Sequence, residues 1–329
     1  MKKIFLLLFI LTGVFHIKAQ TQIATLCHND SVTIYYGADG FINAYNDAID
    51  GDVITLSSGK FNAITITKFI TIKGAGMELL NLGDRIQEPT ILSGAFSFML
   101  TADSTKTVTM EGICHEDSYI NMKGIYNTTF IKCSISEFRG YSGGAENVNF
   151  IHCKINSFTS PEIASIYAYN SYFDQFTWSN KKTANYTFTN CIINLDWRSS
   201  RIKNSYFKSC IFVEGTNYNY TNSLDLTNTA YNCIWQQNSS TGAFSGVNAE
   251  RNNYEISKDQ QLFLENTFYE LTDVGKNYVG LDGTEVGLYG GNIPYSPITF
   301  NLQITKCNVA AKTTADGKLS IEIEVKSFE

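Results

Sequence analysis

One motif recurs six times along the chain at nearly constant spacing, and few folds accommodate that. Written as Asn-x-x-Phe-x-x-Cys, it runs through Asn127/Phe130/Cys133, Asn147/Phe150/Cys153 and Asn170/Phe173/Phe176. It continues through Asn185/Phe188/Cys191, Asn204/Phe207/Cys210 and a weaker Thr227/Ala230/Cys233. The steps are 20, 23, 15, 19 and 23 residues, a mean of 20. A period this short holds a single supersecondary unit, which cannot bury its apolar face alone and must stack on copies of itself. Two positions beyond the cysteine column stand Ile135, Ile155, Trp178, Ile193, Phe212 and Trp235, all large and apolar. Just before it stand Lys132, His152, Gln175, Asn190, Ser209 and Asn232, all polar. That alternation is the period-two signature of strands with one face in a core and one in water. It predicts an all-β solenoid of about 10–12 coils, a rod roughly 50 Å long at ~4.8 Å per stacked strand.

The stacked Asn column resembles the asparagine ladder of right-handed parallel β-helices in the pectate-lyase-like superfamily. Phe41, Ala44, Tyr45, Ala48 and Ile49 share one helical face and precede Gly51-Asp52-Val53-Ile54-Thr55-Leu56. That arrangement is similar to the capping helix and first strand of these proteins. Phe69-Ile70-Thr71-Ile72-Lys73-Gly74 resembles their second rung. Asp282-Gly283-Thr284 with Gly287-Leu288-Tyr289-Gly290-Gly291 looks like the closing rung of exported members. The resemblance spans roughly residues 35–297. It implies a fold and not an activity, since the superfamily hosts lyases, hydrolases, esterases, adhesins and inert stalks.

Lys2 and Lys3 followed by an apolar run from Ile4 to Phe15, ending at Ala19, read as a secretory signal peptide over 1–19. The β-helix domain is expected over 20–297. In the tail, 298–329, the segments 302–310 and 319–325 alternate around Ala315-Asp316-Gly317-Lys318. This predicts a β-hairpin that caps or flanks the far end, with docking to export machinery as the alternative. The chain is −6, and the leader carries three lysines and no acid, so the mature part is −9. Such a charge disfavours nucleic acid and anionic membranes. The expected destination is the periplasm, the outer surface or the medium, with no transmembrane anchor.

Five of the eight cysteines (Cys133, Cys153, Cys191, Cys210, Cys233) share one inward column, which predicts buried free thiols rather than disulfides. No Cys/His spacing suggests zinc. The Trp-Ile-Asp-His and Arg-x-Pro-x-x-Arg signatures of pectate lyases are absent. Arg201-Ile202-Lys203 matches a polygalacturonase triplet without its acidic partners. No cofactor is expected; calcium would enter only for a lyase.

Two sets of residues suggest glycan binding. Lys181, Lys182, Arg198, Arg201, Lys203 and Lys208 stand against Asp196 alone, +5 over 28 residues in an acidic chain. Arg forks there could grip carboxylated or sulfated sugars, with Trp197 stacking on a ring. The second set is an outward row of Lys132, His152 and Lys154, with Gln175 above, forming a flat polar strip. His115-Glu116-Asp117 is the one tight acid/base cluster. The leading expectation is a non-catalytic exported β-helix that binds polysaccharide or serves as a scaffold. The alternatives are a polysaccharide lyase or glycoside hydrolase with a diverged site, and an adhesin or self-assembling stalk.

Overall fold

The alternation is realised in two long sheets facing one another. In Ile125–Ile131 and Ala145–Ile151, Thr128, Phe130, Val148 and Phe150 point inward and are buried, while Thr129, Ile131, Asn149 and Ile151 point outward. The structure, a computed structural model, describes residues 22–81, 83, 86–121, 124–139, 145–159, 163–177, 185–195, 203–214, 227–237, 252–257, 259–299, 303–309 and 321–326. The signal-peptide segment lies outside these residues, as does Trp178. Among the described residues the first sheet has 11 strands and the second 12, and from Val53–Leu56 onward successive coils pair in parallel across each sheet. The result is a β-solenoid of about seven turns.

Identical side chains stack because the parallel register places each residue over its counterpart one coil away. The first sheet's inner column reads Met110, Phe130, Phe150, Ala168, Phe188, Phe207 and Ala230. The second reads Leu92, His115, Ile135, Ile155, Phe173, Ile193, Phe212 and Trp235. Phe130 stacks on Phe150 at 5.4 Å, and Phe188 on Phe207 at 5.3 Å. Between those pairs Ala168 leaves room, and Phe173 reaches across from the second sheet to meet Phe150 and Phe188 edge-on at 5.7 and 5.5 Å.

This corrects the third repeat. Asn170 is not in the column of Asn127 and Asn147; Ser165 is, donating to Asn147 Oδ1 at 2.9 Å. With Ser165 in place the neighbouring steps become 18 and 20 residues in place of 23 and 15. Ser171, not Phe176, occupies the cysteine column. Each column cysteine donates to the carbonyl two residues earlier, as Cys153 does to Ile151 at 3.4 Å, and Ser171 makes the same bond to Tyr169 at 2.8 Å. Phe173 fills the inward place expected of Trp178.

At the N-terminal end, β1 (Ile23–His28) and β2 (Ser31–Tyr36) form a hairpin, and β1 pairs antiparallel with β3 (Val53–Leu56). Helix α1 (Gly40–Asp47) buries Phe41, Ala44 and Tyr45 over the open core, as the capping-helix resemblance implies.

The coil count is lower than expected because residues 259–299 add no coils. They run back along the outside of the rod, so the segment around Asp282–Gly291 is not a closing rung. They cover the outer face of the second sheet and build a second core with Tyr172, Ile192, Ile211, Ile234, Leu262, Leu271, Leu288 and Tyr295. The tail hairpin forms, with Gln303–Val309 paired to Ile321–Lys326 in its own two-stranded sheet. It follows Thr299, whose hydroxyl donates to Ala75 O at 3.0 Å near the N-terminal end, so it leaves from the opposite end to the one expected.

Six buried cysteines (Cys114, Cys133, Cys153, Cys191, Cys210, Cys233) are free, and Cys27 is exposed. Burial pushes the thiols of Cys133, Cys210 and Cys233 well above the ordinary range. A thiol reagent at pH 8 is therefore expected to modify Cys27 rapidly in the native protein. The six buried thiols should react only as denaturant unfolds the rod, on the transition seen by circular dichroism.

Candidate functional site: a strapped corner and an open face

From Val108–Glu111 onward, seven successive coils pass from the first sheet to the second through one residue in the left-handed region. The column is Gly112, Lys132, His152, Asn170, Asn190, Ser209 and Asn232, with φ from 43° to 64°. Glycine and asparagine adopt this conformation readily, whereas the other residues do so at a cost of about 1 kcal/mol or more. At Gly112 the requirement is also steric: a Cβ would lie 2.6 Å from Thr299 Cγ2 and 2.9 Å from Gly74 O.

Five of the six remaining column side chains bind the returning segment, residues 279–299, which acts as a strap. Asn232 Nδ2 donates to Val279 O at 3.0 Å, and Ser209 Oγ accepts from Leu281 N at 2.9 Å. Asn170 Nδ2 donates to Leu288 O at 2.8 Å and Gly290 O at 2.7 Å. His152 Nε2 meets Ile293 O at 3.1 Å, and Lys132 Nζ donates to Ile298 O. The strap thus descends the rod from late coils to early ones, one corner residue at a time.

This overturns the exposed strip. Lys132 is 1% and His152 3% exposed, both beneath the strap. Lys154 is mostly covered, paired with Glu78 and lying 3.9 Å over the Phe268 ring. Gln175, aligned with them by the slipped register, is exposed elsewhere on the second sheet. The polarity of Lys132 and His152 satisfies backbone carbonyls of a chain segment more than a hundred residues away, not solvent. His152 Nδ1 and the Tyr295 hydroxyl, in rings 6.0 Å apart, have no hydrogen-bond partner among the described residues.

Of the basic cradle, Lys181, Lys182, Trp197, Arg198 and Arg201 lie outside the described residues. Lys203 is exposed, and Lys208 is half-buried with its ammonium 5.0 Å from the Tyr206 ring centre. His115, Glu116 and Asp117 do not converge. His115 faces the core beside Phe96, with Nε2 3.2 Å from Gly94 O, while Asp117 turns outward to Ser93 and Lys60. Among the described residues no group of three or more His, Cys, Asp or Glu side chains could hold a metal ion, and no helix is long and apolar enough to cross a membrane.

Two features went unnoticed in the sequence. One is a shallow cleft of about 550 Å³ lined by Asp50, Phe69, Thr101, Asp103 and Lys106. Lys106 bridges to Asp50 at 2.8 Å, and this bond holds the Asp50 carboxyl below its usual range. Hydrogen bonds from Thr105 do the same for Asp103. Neither acid is poised to donate a proton.

The other is the outer face of the first sheet, which the strap's hydrogen bonds to the corner leave uncovered. Two outward columns cross six coils. One reads Thr129, Asn149, Tyr167, Thr187, Tyr206, Thr229, and the other Ile131, Ile151, Tyr169, Thr189, Lys208, Tyr231. All are partly accessible, Tyr169 the most at 42%. Asn149 Nδ2 donates to Thr129 Oγ1 at 3.2 Å, and the Tyr206 and Tyr231 rings lie 5.3 Å apart. Neighbouring rows stand ~4.8 Å apart along the axis, and residues in a row ~6.6 Å apart. The face is a flat grid of aromatic rings, hydroxyls and amides.

No protein-family model, no curated protein and no solved structure matches the chain.

The strap's grip depends on pH with a definite sign. Burial pulls the Lys132 ammonium down to about 8 and lowers His152 below its ordinary 6.5. Both are lowered bases, so undocking takes up protons and stability rises with pH. The His152 contribution is present above pH 6.5 and is lost as pH falls through and below that value. The Lys132 penalty is relieved between pH 8 and 10.5. Hydrogen exchange of the 279–299 amides, corrected for intrinsic rates, is expected to be faster at pH 5.5 than at pH 8. In His152→Gln that difference should shrink, while exchange around His115, itself a lowered base in the core, should keep its own pH dependence.

Proposed function

We propose that this chain is an exported, non-catalytic β-solenoid of the pectate-lyase-like type that binds an extended polysaccharide on the open face of its first sheet. The observation that carries this reading is the placement of Tyr167, Tyr169, Tyr206 and Tyr231 in two outward columns, interleaved with Thr129, Asn149, Thr187, Thr189 and Thr229. A tyrosine ring offers an apolar body to the C–H face of a sugar and a hydroxyl to its edge. Threonine and asparagine supply donors and acceptors for sugar hydroxyls. A rod repeats these groups at a fixed spacing, which suits a ligand that is itself a repeating chain. Lys208 on the face and Lys203 at its margin allow an acidic sugar to be tolerated.

The non-catalytic part rests on how the acids are engaged. Glu78 is bound by Lys154, Asp50 by Lys106, Asp117 by Lys60 and Glu137 by Arg139. Hydrolysis at a glycosidic bond calls for two carboxyls facing one another across the scissile bond, one of them kept protonated.

The mature protein is expected to be retarded in gels containing polysaccharide, across a panel of neutral and acidic glycans, without releasing reducing or unsaturated ends. Tyr206→Ala and Tyr231→Ala should each weaken binding several-fold, up to about tenfold, for the loss of one stacking contact, with unchanged thermal unfolding. Retardation equal to wild type in both variants would remove the face from the proposal, and released unsaturated ends would replace binding with lyase activity.

A further inference from the structure

The end of the rod that α1 closes over the core still carries an open strand edge. Among the described residues β2 is the terminal strand of the first sheet and pairs with β1 alone. Exposed sheet edges template further strand pairing, and proteins usually blunt them with charge, proline or bulges. The six residues of β2, Ser31-Val32-Thr33-Ile34-Tyr35-Tyr36, contain none of these. Val32, Ile34 and Tyr36 are 62%, 50% and 64% exposed on one face, beside exposed Cys27 of β1, which stands opposite Val32.

The hydrogen-bond phase says which groups are open. Gly37 N donates to Gln22 O at 2.8 Å, so Gly37 turns its backbone groups toward β1. In an antiparallel ladder the direction alternates along the strand. Tyr35, Thr33 and Ser31 therefore face β1 as Gly37 does, and Val32, Ile34 and Tyr36 present their N–H and C=O groups to the open edge. The same three residues carry the exposed apolar side chains.

We infer that β2 is a self-association edge, through which two copies of this chain pair antiparallel about a two-fold axis at Ile34. In that register Ile34 faces Ile34 of the partner subunit, and Val32 faces Tyr36 of the partner subunit. Every outward backbone group of the three residues then finds a mate. Aromatic and β-branched side chains make favourable cross-strand pairs. Shifting the register by two residues in either direction leaves one of the three without its counterpart. A second copy is the occupant because the strand matches itself in length, phase and side-chain pairing. Such an isologous contact closes at two subunits. The far edge of the first sheet, Thr229–Tyr231, is only three residues long and would leave half of β2 unpaired. The dimer joins the two 11-stranded sheets into one continuous sheet across both rods. An edge contact buries less than the ~1,600 Å² of a standard interface, so the dimer is expected to dissociate on dilution.

The test is sedimentation velocity of the mature protein over a dilution series, with and without reductant. A concentration-dependent dimer insensitive to reductant is expected. Ile34→Lys should weaken it by about tenfold or more, with circular dichroism and thermal unfolding unchanged because the side chain is exposed. Ile34→Cys in a Cys27→Ser background should cross-link on oxidation, since opposed residues of an antiparallel pair lie within disulfide reach. A wild-type protein that stays monomeric, or a dimer that survives Ile34→Lys undiminished, would overturn the inference. So would a dimer abolished by reductant, because Cys27 and its symmetry mate would be separated by roughly 20 Å, three strand spacings across and four residues along.

Discussion

Seven successive coils of this rod change direction at one left-handed residue, and the rest of the structure depends on that corner. Because the parallel ladder stacks like over like, a single residue out of step would turn a whole coil inside out. The corner column fixes the phase: the position before it is the last of the first sheet, and the one after it begins the cysteine column. Lys132, His152 and Ser209 hold a backbone conformation that asparagine or glycine would hold more easily. What they gain is the strap, whose peptide groups they bind. The corner therefore serves two partners, the coil on the inside and the returning chain on the outside.

The interior was legible in the sequence because burial repeats with the coil. The aromatic column, the cysteine column and the capping helix all declare themselves by residue type at a fixed interval. Legibility failed at the third repeat, where Ala168 and Ser171 replace the expected phenylalanine and cysteine, and an Asn-x-x-Phe string five residues later offered a false match. The uneven steps on either side were the available signal. A serine making the same bond to the carbonyl two residues back as its cysteine neighbours explains why the substitution is tolerated.

The outside was harder to read. The strap binds the corner through its own backbone carbonyls and the Leu281 N–H, so its side chains carry no pattern that pairs them with residues 132 to 232. Polar corner residues looked solvated for the same reason. The glycine-rich stretch at 282–291 resembles a closing rung in sequence, and nothing in it shows that it lies along the rod. Conversely, Tyr167, Tyr169, Tyr206 and Tyr231 drew no notice one at a time. Only the register, which brings them into two columns, makes them a surface. The arginine-rich connections between coils fall outside the described residues, and the open face is defined without them.

A stack of coils ordinarily behaves as a one-dimensional chain, each unit coupled to its nearest neighbours, so that ends can fray while the middle persists. The strap changes that arithmetic. By touching Asn232 near one end and Lys132 and Ala75 toward the other, it couples coils that share no strand pairing. It can dock only once the intervening corners are stacked in register, so its closure reports that the whole run is correct. Losing one coil in the middle would release the strap from its neighbours on both sides. The rod is thereby converted from a zipper, opened tooth by tooth, into a unit that holds or yields together.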